Sequence, residues 1–278
     1  MFIAVVALCS CDLAKNNKAL ISEAGKALVE ELDQKDGEAG VCDASAGAAE
    51  ADDKLVMQTS PKGTPEQILK RTGYVASYNK TTLLPNWVAW HLTAERTEGS
   101  AKRSGVDFAE DTEVPEPRAT DWDYYNSGYD RGHMCPAADN KWSKKAMEES
   151  FLFTNMCPQN GNLNRGDWNE MEMACRKWAK KYGDLYIVCG PILYKGKHKT
   201  IGKNKVVVPE AFFKVVLRTG DDPQAIGFIY KNTSGNRPKD SYVNTVDEVE
   251  RITGIDFFPS LPDDVEKNVE ATADIANW

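Results

Sequence analysis

Positive charge is not in surplus in this chain of 278 residues: 42 Asp and Glu stand against 34 Lys and Arg, a formal net charge of -8. That balance argues against a general polyanion binder, whose affinity comes from a basic exterior. No apolar run reaches the roughly 20 residues that span a bilayer, and the best candidate, residues 1–10, is too short for a transmembrane helix. No internal repeat period is visible, which sets aside solenoids and repeat arrays. The seven cysteines show no zinc-type spacing. Residues 12–60 hold no aromatic side chain and few large apolar ones, so they have little with which to build a core.

What is present divides the chain. The apolar opening runs into Leu8-Cys9-Ser10-Cys11, a pattern resembling the lipobox of bacterial lipoproteins. It implies export, cleavage before Cys11 and a membrane attachment through a lipid on that sulfur, in the cell envelope or periplasm. The basic stretch that opens a signal peptide is missing ahead of it. Residues 1–11 are thus a leader and 12–62 an acidic tether, in which Leu20, Leu28 and Leu32 offer one marginal amphipathic helix. A single domain follows over 63–262, and 263–278 is an acidic tail or peripheral helix. Without Cys9 and Cys11, five cysteines remain: Cys42, Cys135, Cys157, Cys175 and Cys189. An odd number leaves at least one free thiol, and Cys135 with Cys157 could bridge.

Apolar patterning predicts an α+β domain with a central antiparallel sheet flanked by helices. Residues 73–79 and 86–93 read as strands joined by a turn around 80–85. From 93 to 128 the pattern is lost, as in a long surface loop reaching back over a site. A short helix or loop at 143–150 precedes a buried strand at 151–156. A helix from Asn164, or just after it, carries Met171, Cys175, Trp178 and Tyr182 as one stripe and is capped by Gly183. Strands follow at 185–189, 211–218 and 225–231, then a helix at 247–252 and a core plug at Phe257-Phe258-Pro259.

The chemistry concentrates between residues 129 and 172. Asp130-Arg131-Gly132-His133 is followed by a hydrophobic residue and Ala138. Thr154-Asn155-Met156-x-Pro158-Gln159 and Leu163-Asn164-x-Gly166-x-Trp168 come next, with Asn86-Trp87-Val88-Ala89-Trp90-His91-Leu92-Thr93 upstream. Together these resemble the DNA/RNA non-specific endonucleases, the ββα-metal (His-Me finger) nucleases that include endonuclease G, from roughly Gly73 to Leu261. The resemblance implies a general base at His133, a magnesium ligand at Asn164 with manganese able to substitute, and phosphate clamping by Arg131. It further implies that Glu172 orders metal-bound water and that Asn155 supports the site by hydrogen bonding. Arg103 matches only through a variable loop. DNA and RNA would be held through phosphates, without base readout.

Residue chemistry agrees: imidazole titrates near neutrality, an amide oxygen ligates a hard cation without adding charge, and guanidinium matches phosphate. On a continuous helix Asn164 and Glu172, eight residues apart, would lie near one side. Arg131, Lys141, Lys144, Lys145, Arg165, Arg176, Lys177, Lys180 and Lys181 crowd this segment and place a basic stripe within an acidic chain.

Plainer readings exist for the same residues. His91 and His198 are read as structural, and Trp168 and Trp178 as core. Asn164 would serve as a helix N-cap, and Arg131 with Glu172 as an ion pair tying strand to helix. Two other functions compete: a catalytically silent nucleic-acid or envelope-binding module of the same fold, and a thiol enzyme pairing Cys135 with His133.

Overall fold

The computed structural model describes residues 54–220 and 222–278. The lipobox at Cys11, the marginal helix around Leu28, and Cys42 lie outside the described residues. Among those described, no helix is long and apolar enough to cross a membrane.

Seven strands form one antiparallel sheet: β1 (Gln67–Lys70), β2 (Val75–Asn79), β3 (Leu84–Leu92), β6 (Leu185–Ile192), β9 (Ala211–Arg218), β10 (Gln224–Lys231) and β11 (Val243–Asn244). They lie side by side in that order. Two short ribbons stand apart, β4 (Asp130–His133) with β5 (Met156–Gln159) and β7 (Thr200–Ile201) with β8 (Val206–Val207). The central strands are apolar at nearly every position because both faces are covered. On β3, Val88, Trp90 and Leu92 join one core cluster while Trp87 and Ala89 join the other.

The first face is covered by the helix Asn169–Tyr182 and the β4–β5 ribbon, through Met134, Cys157, Trp168, Met171, Cys175 and Trp178. Gly183 caps that helix at φ 89°, a conformation glycine adopts freely. The opposite face is covered by Leu55, Val56, Phe257, Phe258 and two C-terminal helices, Val246–Thr253 and Asp263–Glu270. Trp168 and Trp178 are core residues, as expected.

Several expectations need correction. The buried segment 151–156 is largely a tight helical turn, Phe153–Asn155, and its strand begins only at Met156. The ordered body reaches back before residue 63: Leu55 and Val56 are buried, and Thr59 exchanges two backbone hydrogen bonds of 3.0 Å with Asp256. For residues 263–278 the helix alternative holds: Asp263–Glu270 is helical and buries Val265 and Val269. Cys135, Cys157, Cys175 and Cys189 are all free and buried, so no Cys135–Cys157 bridge forms. The Cys135 thiol instead takes a 3.3 Å contact from the Asn140 amide.

Phe257 is fully buried, with its ring 5.4 Å from that of Phe213. Phe257→Ala is expected to cost about 3–5 kcal/mol of stability, read as a lowered midpoint in urea or thermal unfolding. An unchanged midpoint would mean that this aromatic pair does not hold the back face.

Candidate active site

The β4–β5 ribbon presents His133 at its end. Gly132 lies opposite Cys157 and His133 opposite Met156, and a Cβ on Gly132 would come within 2.6 Å of the Gln159 Cβ. The chain can pack this closely only because residue 132 has no side chain. Beyond His133 the backbone turns, and Asn155 holds the turn. Its Oδ1 accepts from the Cys135 N–H at 2.9 Å, and its Nδ2 donates to the carbonyls of Cys135 and Ser150, each at 2.8 Å. Fully buried, Asn155 positions the site and does not line it.

The His133 ring lies 5.0 Å from Phe151 and 5.7 Å from Phe108. Burial first, and then the Arg103 charge, push its pKa down to about 3, so the imidazole is neutral at working pH. Its Nε2 is enclosed and lacks a hydrogen-bond partner, and the residue borders the cleft. The loop over 93–128 does fold back over the site: Arg103 lies 5.5 Å above the Phe151 ring, and Phe108 borders the histidine.

Asn164 lies 31 positions further along the chain and opens on the same cleft. It is not an N-cap: Asn160 fills that role, accepting from the N–H groups of Asn162 and Leu163. Asn164 opens a π-type turn, Asn164–Trp168, in which Gly166 leaves helical geometry at φ -101°, ψ -112°. The eight-residue spacing to Glu172 therefore does not follow one continuous helix, yet both residues reach the cleft. The Asn164 Nδ2 donates to Asp130 Oδ2 at 3.0 Å, which turns the amide oxygen away from that carboxylate.

Glu172 is pushed up to about 7, chiefly by burial, against the pull of Lys214. No ion pair joins it to Arg131. Arg131 instead pairs with Asp121 through Nε at 2.7 Å and Nη2 at 2.6 Å, and stacks over Phe108. Asp121, at the start of the short helix Asp121–Tyr124, takes the guanidinium.

The cleft encloses about 1080 Å³ and is lined by Lys102, Arg103, Arg131, Lys141, Arg165 and Arg176, against two carboxylates, Asp130 and Glu172. The acidic chain thus carries a locally basic site. Not all of the stripe read from the sequence contributes: Lys144, Lys145 and Lys180 pair with Glu148, Glu149 and Glu98 outside the cleft. The donors facing the cleft, the Asn164 amide and the Glu172 carboxylate, offer oxygen only. With room for water around them they suit a hard cation such as magnesium.

Two roles escaped the sequence reading. Asp130 orients Asn164 and also accepts from Arg165 at 2.7 Å; its signal was its place at the head of the histidine motif. Lys214 is wholly buried in β9, its ammonium 4.3 Å from the Trp168 ring and 5.3 Å from that of Trp90. Its signal was a lone cation inside an apolar strand. Cys135 is no nucleophile, because burial, then the Asp139 charge, hold its thiol well above the ordinary range. His91 and His198 pair with Asp184 at 2.7 Å and Glu210 at 3.1 Å, away from the cleft.

Residues 52–264 match the DNA/RNA non-specific endonuclease family. The chain belongs to that family. The endonuclease match takes in every cleft residue named above. The chain is 39 % identical over 206 residues to the mitochondrial nuclease EXOG of Danio rerio, covering 68 % of this chain and 60 % of that protein. It is 34 % identical over 209 residues to human mitochondrial endonuclease G, covering 70 % of each. It is 36 % identical over 222 residues to nuclease C1 of Cunninghamella echinulata, covering 74 % of this chain and 88 % of that one. A crystal structure of the EndoG/EndoGI complex superposes with a TM-score of 0.68 at 32 % identity, covering 71 % of this chain and 87 % of that one. The chain therefore spans 60 % of the length of the EXOG relative.

Asn155→Ala would strand the Cys135 and Ser150 backbone groups, at about 1–3 kcal/mol for each group left unsatisfied. The expected result is a thermal midpoint lowered by several degrees. A midpoint equal to that of the parent chain would show that the turn is held by something else.

Proposed function

We propose that the protein is a metal-dependent, sugar-non-specific endonuclease that hydrolyses phosphodiester bonds of DNA and RNA to 5′-phosphorylated products. One observation carries this reading: a neutral imidazole and an oriented amide oxygen, distant in sequence, open on one cleft bordered by six cationic side chains. In-line attack needs a base, charge neutralisation and an oriented water.

The His133 imidazole takes the proton of the attacking water. Arg131, with Nε and Nη2 on Asp121, has its remaining amino group for a phosphate oxygen, and Arg103 approaches from the covering loop. Glu172 orients water when ionised, and Asp130 keeps the Asn164 oxygen turned to the cleft. Magnesium, with manganese able to substitute, would be held by Asn164 and water, and when bound it neutralises charge on the phosphate and the leaving oxygen. Recognition through phosphates makes cleavage indifferent to base sequence and sensitive to salt.

Plasmid and RNA digestion tests this directly. Both substrates should be cut with magnesium present and spared in excess chelator. His133→Ala should lower kcat by about 10²- to 10⁴-fold while nucleic acid still binds. Full turnover by that variant would remove His133 from the mechanism; an inactive parent chain that binds nucleic acid would favour the silent module.

The pH profile separates the two titratable groups. With its pKa pushed down to about 3, His133 stays neutral throughout the neutral range, whereas Glu172, pushed up to about 7, becomes ionised as pH rises. kcat/KM should therefore rise with pH up to about 7 and level off above it. Glu172→Gln should flatten that limb in the residual activity; a limb unchanged in Glu172→Gln would assign it elsewhere.

A further inference from the structure

On the sheet face opposite the cleft, carboxylates of Asp247, Glu250 and Glu270 converge, with one oxygen from each lying within 4.8 Å of the others. Asp247 and Glu250 stand three residues apart on the helix Val246–Thr253, and therefore on one side of it. Glu270 ends the helix Asp263–Glu270, whose carbonyl terminus adds negative potential there.

The cluster lacks what a buried carboxylate normally has. Glu270 is only 5 % exposed, and its Oε1 has no hydrogen-bond partner. None of the three forms an ion pair among the described residues, and nearby Arg251 is occupied by Glu248 at 2.6 Å. The surrounding groups make matters worse: burial first, then Glu250, Glu266, Asp247 and Asp256, push Glu270 up to about 9. Glu250, which also accepts from the Phe257 N–H at 2.8 Å, is raised to about 7, again by burial first. A buried, unpaired carboxyl group aimed at two others is costly unless a cation or a proton completes the set.

We propose that Asp247, Glu250 and Glu270 form a second divalent-cation site, matched to calcium, that ties the two C-terminal helices together and takes no part in cleavage. Calcium accepts six to eight oxygen ligands in a flexible geometry, so three carboxylates with water make an ordinary shell. Magnesium demands a stricter octahedron, gives up its waters reluctantly and is seldom held in a cage of protein ligands. Cation binding releases the Glu270 proton, so affinity increases with pH.

The test uses the full chain carrying Asn164→Ala, which silences the ligand proposed for the cleft. After chelation and dialysis it is titrated calorimetrically with calcium chloride at pH 7.5 in two buffers of different ionisation heat. One calcium should bind with proton release, and at a hundredfold excess over Kd the thermal midpoint should rise by about 5–10 °C. Glu270→Gln and Asp247→Asn, with folding confirmed by circular dichroism, should each weaken binding tenfold or more, and magnesium should bind more weakly than calcium. Absence of saturable heat with an unmoved midpoint would overturn the site, as would full-strength binding in Glu270→Gln. Equal affinity for magnesium would overturn the match to calcium.

Discussion

Under the proposed mechanism, a histidine that is to accept a proton must stay neutral inside a cleft lined by cations, and the arrangement on the ribbon side of the sheet meets that demand. Packing the His133 ring against Phe108 and Phe151 withdraws it from water, and the Arg103 charge further disfavours the imidazolium. Neither effect survives if the ring swings outward. The close β4–β5 approach at Gly132 and the clasp of Asn155 on the following turn are therefore parts of the same device.

The proposed metal side of the cleft would impose a different constraint, namely that an amide must show its oxygen and not its nitrogen. Asp130 decides this by taking the Asn164 Nδ2, and it does so from the first residue of the strand that ends in His133. One four-residue strand thus supplies the imidazole, a guanidinium and the carboxylate that orients the amide across the cleft. The break at Gly166 lets Asn164 belong to this cluster while the helix Asn169–Tyr182 keeps its apolar stripe on the sheet.

Much of this was legible in the sequence because it is local. The strand around Val88, the stripe of Met171, Cys175 and Trp178, the Gly183 cap and the histidine motif each announce themselves within a dozen residues. What escaped depends on distance. The plainer reading of Arg131 as the partner of Glu172 fails because Asp121, in the covering loop where no apolar pattern marks a partner, takes the guanidinium. The plainer reading of Asn164 as a cap fails because the true cap is Asn160, also asparagine, and only the turn geometry distinguishes them. The strand expected at 151–156 failed because its apolar residues serve a tight turn under the histidine as well as they would a strand. Period alone does not separate the two for so short a run.

Lys214 shows how the sheet itself enters the electrostatics. Its neighbours on β9 alternate between the two cores, and position 214 falls on the ribbon side, so the ammonium is buried against Trp90 and Trp168 with no hydrogen-bond partner. Burial opposes its charge, but the neighbouring Cys189 and Cys175, and then the Glu172 and Asp139 carboxylates, outweigh burial and raise its pKa. In return Lys214 holds the Glu172 pKa below where burial alone would put it. Replacing it with an apolar residue of similar size would leave the packing largely in place and allow Glu172 to keep its proton, so this buried charge acts on the protonation state of the cleft more than on the strength of the fold. The opposite face has carboxylates at Glu250 and Glu270 and, among the described residues, no buried lysine or ion pair to match them. That asymmetry is what the proposed calcium would offset.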